Sequence, residues 1–214
     1  MNFATYLLNW SKLHGDASPS KLVRGWLRIG FALSTPLTRL SANSITVFGG
    51  FFAILIVAYF TKFTSHYLVV SVGVLLLGMI DSLDGIVAVR MGKTSSWGAF
   101  LDSVVDRVVD ICFATLLFIC GAPFLVCLFA ACITLFHEYM RARATGLGIS
   151  EVGAITIGEK PTRVVIVILF FLACAAFGNH AKELSSIGSG VWLLTSSIAI
   201  TQLYFVFKKA LTQN

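Results

Sequence analysis

Six long apolar stretches constrain this chain of 214 residues more than any other feature. Each is close to the roughly 20 apolar residues that a helix needs to cross the hydrocarbon core of a bilayer. Backbone groups in lipid must be hydrogen-bonded within the protein, and a helix achieves this inside a single segment. The stretches are residues 43–61, 67–90, 97–120, 122–143, 162–178 and 189–207. The sequence therefore predicts an all-α integral membrane protein with six transmembrane helices.

Composition and charge support this prediction. Hydrophobic residues make up 57% of the chain and charged residues 12%, with a mean hydropathy of +0.87, whereas a soluble domain carries about 25% charged residues. Most Lys and Arg residues fall on one side of the predicted spans, and such residues favour the cytosolic side. We therefore expect a multi-pass protein of the plasma or inner membrane with both termini in the cytosol. The net charge of +6 then reflects topology and attraction to anionic lipids, and nucleic acid is not an expected partner.

The segment before the first span has amphipathic character. Residues 21–40, KLVRGWLRIGFALSTPLTRL, combine bulky apolar residues with arginines at roughly helical spacing. That pattern predicts an interfacial helix on the membrane surface, and a juxtamembrane linker is the alternative. The predicted organisation is thus an N-terminal cytosolic segment (1–20), a membrane domain (21–207) and a cytosolic tail (208–214).

Acidic residues interrupt the second and third apolar stretches. Five aspartates lie there: Asp81, Asp84, Asp102, Asp106 and Asp110. An ionisable residue inside a membrane costs about 3 kcal/mol or more, so it indicates a functional site. The first two aspartates are three residues apart and the other three are four apart, so each set lies on one helical face. A short turn joins the two helices, which makes them antiparallel neighbours whose acidic faces can meet in one pocket.

The predicted pocket calls for compensating charge. Carboxylates so close together cannot all stay ionised alone, and oxygen-preferring cations such as Mg²⁺ or Mn²⁺ are the natural compensation. Two such ions about 4 Å apart form the usual clamp for in-line displacement at phosphorus. Asp84 is only six residues, or ~9 Å along a helix, from Arg90. The pocket should therefore open near the cytosolic surface, which suits an enzyme that joins a water-soluble reactant to a lipid.

The spacing resembles the signature of the CDP-alcohol phosphatidyltransferase family, D-x2-D-G-x2-A-R-x8-G-x3-D-x3-D. The positions in register are Asp81, Asp84, Gly85, Ala88, Gly98, Asp102 and Asp106. The exception is the arginine, which in the family lies near the nucleotide diphosphate. Position 89 of this chain is Val, and Arg90, which follows it, could substitute. Residues 41–50, SANSITVFGG, are similar to the N-x-x-T element of the family. The resemblance extends over residues 21–207.

This resemblance implies a reaction and a set of site residues. The reaction is transfer of a phosphatidyl group from CDP-diacylglycerol to a polar alcohol with release of CMP, and a homodimer is the usual assembly. Two Mg²⁺ or Mn²⁺ ions would be held by Asp81, Asp84, Asp102 and Asp106, and Asp106 would also serve as the catalytic base. The residues implied to contact CDP are Asn43, Thr46, Asp81, Gly85, Arg90 and Gly98.

Four basic residues indicate the acceptor. They match the basic elements that receive the acceptor phosphate in the bacterial phosphatidylinositol phosphate synthases of the family: Arg141, Arg143, Lys160 and Arg163. Their spacing suits a phosphate, although cytosolic anchoring alone would also explain them. A phosphorylated acceptor is therefore expected, either inositol phosphate or the glycerol 3-phosphate used by phosphatidylglycerophosphate synthases. Gln202 stands where the inositol phosphate synthases have a further arginine, which weakens the inositol assignment.

One alternative function and one unassigned residue accompany this hypothesis. A membrane cation or proton transporter also places acidic residues in a membrane cavity, but transporters usually show internal repeats and a midplane site. Asp110 lies outside the signature and could pair with Arg107 or with an arginine of the pocket. The sequence thus favours a transferase and leaves the partner of Asp110 open.

Overall fold

The computed structural model describes residues 1–13, 18–149 and 156–212. Within those residues it contains α-helices, one short 3₁₀ turn (Gly178–His180) and no strand, which confirms the all-α prediction. The helices are α1 (Phe3–Leu13), α2 (Lys21–Leu37), α3 (Ala42–Lys62), α4 (Tyr67–Met91), α5 (Ser96–Cys120), α6 (Phe124–Gly146), α7 (Lys160–Ala176) and α8 (Ala181–Thr212).

The helices α3 to α8 overlap the six predicted spans, although α8 is much longer than the predicted 189–207. Among the described residues, four segments are long and apolar enough to cross a membrane, namely α3, α4, α6 and Gly178–Thr212, which includes α8. Helix α5 carries several charged residues, and α7 has only 17 residues. The structure thus supports a membrane protein with four candidate spans. The count of six, and the orientation of the termini, stay predictions.

Helix α2 forms where the amphipathic pattern predicts it. Its N-cap is Ser20, whose hydroxyl oxygen accepts a hydrogen bond from the backbone N–H of Val23 at 3.3 Å, and such caps stabilise helix starts by about 1 kcal/mol. Leu27 and Ser34 are buried, while Arg28 is exposed. The helix itself forms as expected, whereas its amphipathic character and its location at the membrane surface stay predictions.

Helix α1 lies in the segment expected only to be a cytosolic extension. Its Tyr6 is 2% exposed and packs with Leu27 and Ile86. The rings of Tyr6 and Phe31 are 5.4 Å apart, a separation typical of aromatic pairs in protein cores. Burial raises the pKa of Tyr6 to about 12, so its hydroxyl stays protonated at neutral pH.

The chain divides into two compact units. The first contains residues 1–52 and 76–108, and the second contains residues 53–75 and the described residues from 109 onward. All the signature positions fall in the first unit. The four basic residues predicted to bind the acceptor fall in the second.

Close packing of α8 organises the second unit. Trp192 is fully buried and donates a hydrogen bond from Nε1 to Oγ1 of Thr134 on α6 at 3.1 Å. About one turn earlier on α8, a Cβ atom at Gly188 would lie 2.8 Å from Cγ of Phe170 on α7. The glycine therefore permits a helix approach that any larger residue would prevent.

Candidate active site

Three carboxylates from two helices converge in the first unit. Asp81 lies on α4, and Asp102 and Asp106 lie one turn apart on α5. One oxygen from each can be chosen so that all three lie within 4.8 Å of one another, and all three residues are partly buried. Oxygen ligands on opposite sides of an Mg²⁺ ion are about 4.2 Å apart. This carboxylate cluster (Asp81, Asp102 and Asp106) therefore has nearly the dimensions that a bound divalent cation requires.

The fourth predicted metal ligand has different partners. Asp84 is 7% exposed. Its Oδ2 accepts a hydrogen bond from the hydroxyl of Thr46 at 2.6 Å, and its Oδ1 accepts one from the backbone N–H of Gly85 at 2.6 Å. The structure thus brings three of the four predicted ligands together and fixes the fourth beside them through the N-x-x-T threonine.

A cavity of about 170 Å³ lies next to the cluster. Its described lining comes from the start of α3, the last turns of α4, the turn that follows and the start of α5. It includes most of the residues predicted to contact CDP, namely Asn43, Thr46, Gly85 and Gly98. A Cβ atom at Gly98 would lie 3.1 Å from Oδ1 of Asn43, so the glycine keeps the cavity open. We call this space the motif cavity.

Arg90, predicted to replace the missing signature arginine, is directed elsewhere. Its Nη1 donates to the backbone oxygen of Phe31 at 2.9 Å and to Oγ of Ser34 at 2.7 Å. The guanidinium carbon lies 4.1 Å from the centre of the Phe31 ring, which is a favourable cation–π distance. Arg90 therefore joins the end of α4 to α2 and does not line the motif cavity.

A buried ion pair occupies the second unit. Arg163 is 1% exposed and Asp110 is fully buried. Nε and Nη2 of Arg163 donate to the two oxygens of Asp110 at 2.8 Å and 3.2 Å, and Nη1 donates to the backbone oxygen of Gly158 at 2.5 Å. The sequence left open whether Asp110 pairs with Arg107 or with an arginine of the pocket. The bidentate pairing shows that Arg163, a predicted pocket arginine, is one of its partners.

The other basic residues also have defined surroundings. Arg141 pairs with Glu159, whose Oε1 accepts hydrogen bonds from the backbone N–H and the hydroxyl of Thr156 at 2.9 Å and 3.0 Å. Arg143 is exposed and borders an apolar groove that Lys208 also borders. Arg141, Arg143 and Arg163 thus have different partners, and the role of the four basic residues in binding an acceptor stays a prediction.

Glu159 is a residue that the sequence analysis missed. It stands at the N-cap of α7, directly before Lys160, and a carboxylate is favoured at a helix N-terminus. An acidic residue just before a predicted helix was the available signal.

Comparison with known proteins places this site in a family. The sequence model of the CDP-alcohol phosphatidyltransferases matches residues 39–204. The chain belongs to the CDP-alcohol phosphatidyltransferase family. Among its relatives, the archaetidylinositol phosphate synthase of Pyrococcus horikoshii is 29% identical over 190 residues, 86% of this chain and 91% of that protein. The phosphatidylinositol phosphate synthase of Mycobacteroides abscessus is 33% identical over 188 residues, 84% of this chain and 78% of that protein.

Solved structures share the fold. The crystal structure of Mycobacterium tuberculosis phosphatidylinositol phosphate synthase with CDP-DAG bound has a TM-score of 0.69 and 22% identity, covering 84% of this chain and 94% of that chain. The same enzyme in complex with manganese and citrate has a TM-score of 0.68 and 22% identity, covering 81% of this chain and 88% of that chain. Membership of this CDP-alcohol phosphatidyltransferase family makes the protein an enzyme of phospholipid synthesis, and the transporter alternative is set aside.

Proposed function

We propose that the protein transfers a phosphatidyl group from CDP-diacylglycerol to inositol phosphate and releases CMP. The observation that carries this proposal is the convergence of Asp81, Asp102 and Asp106 beside the motif cavity. The names of the P. horikoshii and M. abscessus relatives refer to different lipid groups, archaetidyl and phosphatidyl, but both names contain inositol phosphate. Inositol phosphate is therefore the preferred acceptor, and glycerol 3-phosphate is the competing one.

The proposal includes the membrane arrangement. Six spans with both termini and the active site on the cytosolic side agree with the positions of Lys and Arg in the sequence. Such a site would receive CDP-diacylglycerol from the membrane and the acceptor from the cytosol. A homodimer is part of the same proposal and derives from the family resemblance alone.

The carboxylates present fit a divalent cation. Asp81, Asp102 and Asp106 offer hard oxygen donors at suitable separations, so they would hold Mg²⁺ or Mn²⁺, and Asp84 could join them if a second ion binds. A bound ion of this kind neutralises charge on the diphosphate and on the departing phosphate. The manganese complex of the M. tuberculosis enzyme supports this assignment.

The protein's own groups would act on the substrates in a simple order. Asn43, Thr46, Gly85 and Gly98 would contact the CDP moiety in the motif cavity. Asp106 would take the proton from the acceptor hydroxyl, whose oxygen forms a bond to the phosphorus of the phosphatidyl group. The bond from that phosphorus to the CMP oxygen breaks, and CMP leaves with the electron pair.

The acceptor phosphate would bind to the basic residues of the second unit. Lys160 begins α7, where the helix dipole favours an anion. Arg141 and Arg143 would add charge, with the phosphate competing with Glu159 for Arg141. Arg163 would contact the phosphate only after releasing Asp110, so we propose that it mainly holds α7 against α5.

CMP release from CDP-diacylglycerol tests the proposal. Purified protein in detergent with Mg²⁺ or Mn²⁺ would receive one acceptor at a time: inositol phosphate, glycerol 3-phosphate, inositol or serine. We expect release with inositol phosphate and its loss in the Asp106→Asn variant. Release with glycerol 3-phosphate alone would reassign the acceptor. Release with only free inositol or serine would contradict a phosphate-binding role for the basic residues, and no release at all would contradict the function.

A further inference from the structure

The signature arginine has no direct substitute on α4. Val89, which occupies its position, packs against the apolar cluster formed by Tyr6, Leu27 and Ile86. Arg90 is bound to α2 through Phe31 and Ser34, as described above. Neither side chain lines the motif cavity. A nucleotide diphosphate in that cavity would therefore need a cation from elsewhere in the chain.

The end of α4 directs the next residue to the cavity. Gly92 has a φ of +61°, a left-handed conformation that glycine adopts without steric cost. The backbone N–H of Gly92 donates to the oxygen of Val89 at 3.2 Å, and that of Lys93 donates to the oxygen of Ala88 at 3.0 Å. These two bonds form a Schellman motif, which ends a helix and turns the chain sharply. The turn fixes the backbone of Lys93 beside the motif cavity.

Lys93 is the single cation among the described residues that line the motif cavity. The next two residues, Thr94 and Ser95, add hydroxyl groups to the lining. The carboxylates of Asp84 and Asp102 are also part of the lining. The cavity thus offers both acidic groups, which can hold a cation, and a lysine with neighbouring hydroxyls, which can hold phosphate oxygens.

We propose that Lys93 binds the diphosphate of the cytidine nucleotide and takes the role that the family signature gives to an arginine at position 89. The inference rests on the proposed function, because CDP-diacylglycerol is the nucleotide concerned. A lysine ammonium acts as a compact point charge with three donors. It needs no planar alignment with the phosphates, so its position in a turn after the helix suffices.

Nucleotide binding without turnover provides the test. Wild type, Lys93→Gln and Lys93→Arg would be titrated with CDP and with cytidine in the presence of Mg²⁺, alongside Arg39→Gln as a control. Arg39 is an exposed arginine of the same unit that does not line the cavity. Loss of one hydrogen bond to a charged group weakens binding by roughly 10- to 100-fold. We expect Lys93→Gln to weaken CDP binding by that factor while leaving cytidine binding unchanged, and Lys93→Arg to restore most of the affinity.

Kinetics separate this inference from the proposed function. Because Lys93 would contact the diphosphate before and during reaction, Lys93→Gln should raise the KM for CDP-diacylglycerol more than it lowers kcat. Equal losses of CDP and cytidine affinity would indicate a structural role and overturn the inference. Unchanged CDP affinity in an active protein would overturn it and leave the function intact. If wild type neither binds CDP nor releases CMP, the proposed function itself fails, and the inference with it.

Discussion

The Asp110–Arg163 pair allows a prediction in which structure and the sequence-based assignment disagree. If Arg163 is mainly a ligand of the acceptor phosphate, its loss should affect the acceptor KM and leave stability nearly unchanged. If it holds α7 through the buried pair, its loss should destabilise the second unit. The Arg163→Met variant distinguishes the two, because methionine keeps much of the length of the side chain and removes its charge.

The expected magnitude follows from burial and hydrogen bonding. Both side chains are almost fully buried, and two hydrogen bonds join them at 2.8 Å and 3.2 Å. Removing one partner of such a pair typically costs about 3–5 kcal/mol, because a buried charge loses its compensation. Replacing both partners by apolar residues often costs little. We therefore expect Arg163→Met to lower the free energy of unfolding by about 3–5 kcal/mol and Asp110→Leu/Arg163→Met to recover a large part of it.

Reversible unfolding in mixed micelles with increasing SDS would measure these differences. Arg143→Met is the matched control, because Arg143 is an exposed arginine of the same unit, and it should change the free energy by about 0.5 kcal/mol or less. An Arg163→Met protein within about 1 kcal/mol of wild type would refute the structural role. A raised acceptor KM in that case would support direct phosphate binding.

Three further substitutions test the first unit. Thr46→Val removes the hydroxyl that donates to buried Asp84 and should lower the free energy of unfolding, measured in mixed micelles, by about 1.5–3 kcal/mol. Thr46→Ser keeps a hydroxyl and should retain most of the stability. An unchanged value for Thr46→Val would show that the hydrogen bond contributes nothing. Gly98→Ala places a Cβ atom 3.1 Å from Oδ1 of Asn43 and should raise the KM for CDP-diacylglycerol severalfold. An unchanged KM would argue that the nucleotide does not bind beside Gly98. Arg90→Gln should lower thermal stability without changing CDP affinity. A selective loss of CDP affinity would show that Arg90 contributes to nucleotide binding.

The positions of the long helices could be predicted because their signal is local. Runs of apolar residues about the length of a bilayer core delimit α3 to α7 to within a few residues and locate the middle of α8. Helix α1 escaped prediction because it is only 11 residues long and has mixed composition. Its Phe3, Tyr6 and Trp10 nevertheless recur at helical spacing, which is the signal that could have revealed its packing face.

The carboxylate cluster was also accessible from sequence, because spacings of three and four place side chains on one helical face. The partners of the arginines could not be predicted in this way. Arg90 follows the signature position by one residue and lies about 100° further round the helix, and its binding to α2 depends on where α2 packs. Likewise, Glu159 pairs with Arg141 and Asp110 pairs with Arg163, and both arginines were predicted to bind the acceptor. Such pairings depend on the fold and cannot be derived from local spacing.

The identity of the lipid formed by the purified protein tests the central claim most directly. The protein would be incubated with CDP-diacylglycerol, inositol phosphate and Mg²⁺ or Mn²⁺, and the extracted lipids would be analysed by mass spectrometry. We predict a lipid with the mass of phosphatidylinositol phosphate, formed in equal amount with CMP and absent with Asp106→Asn. Consumption of CDP-diacylglycerol without any new phosphatidyl lipid, or the same lipid in the Asp106→Asn sample, would contradict the account.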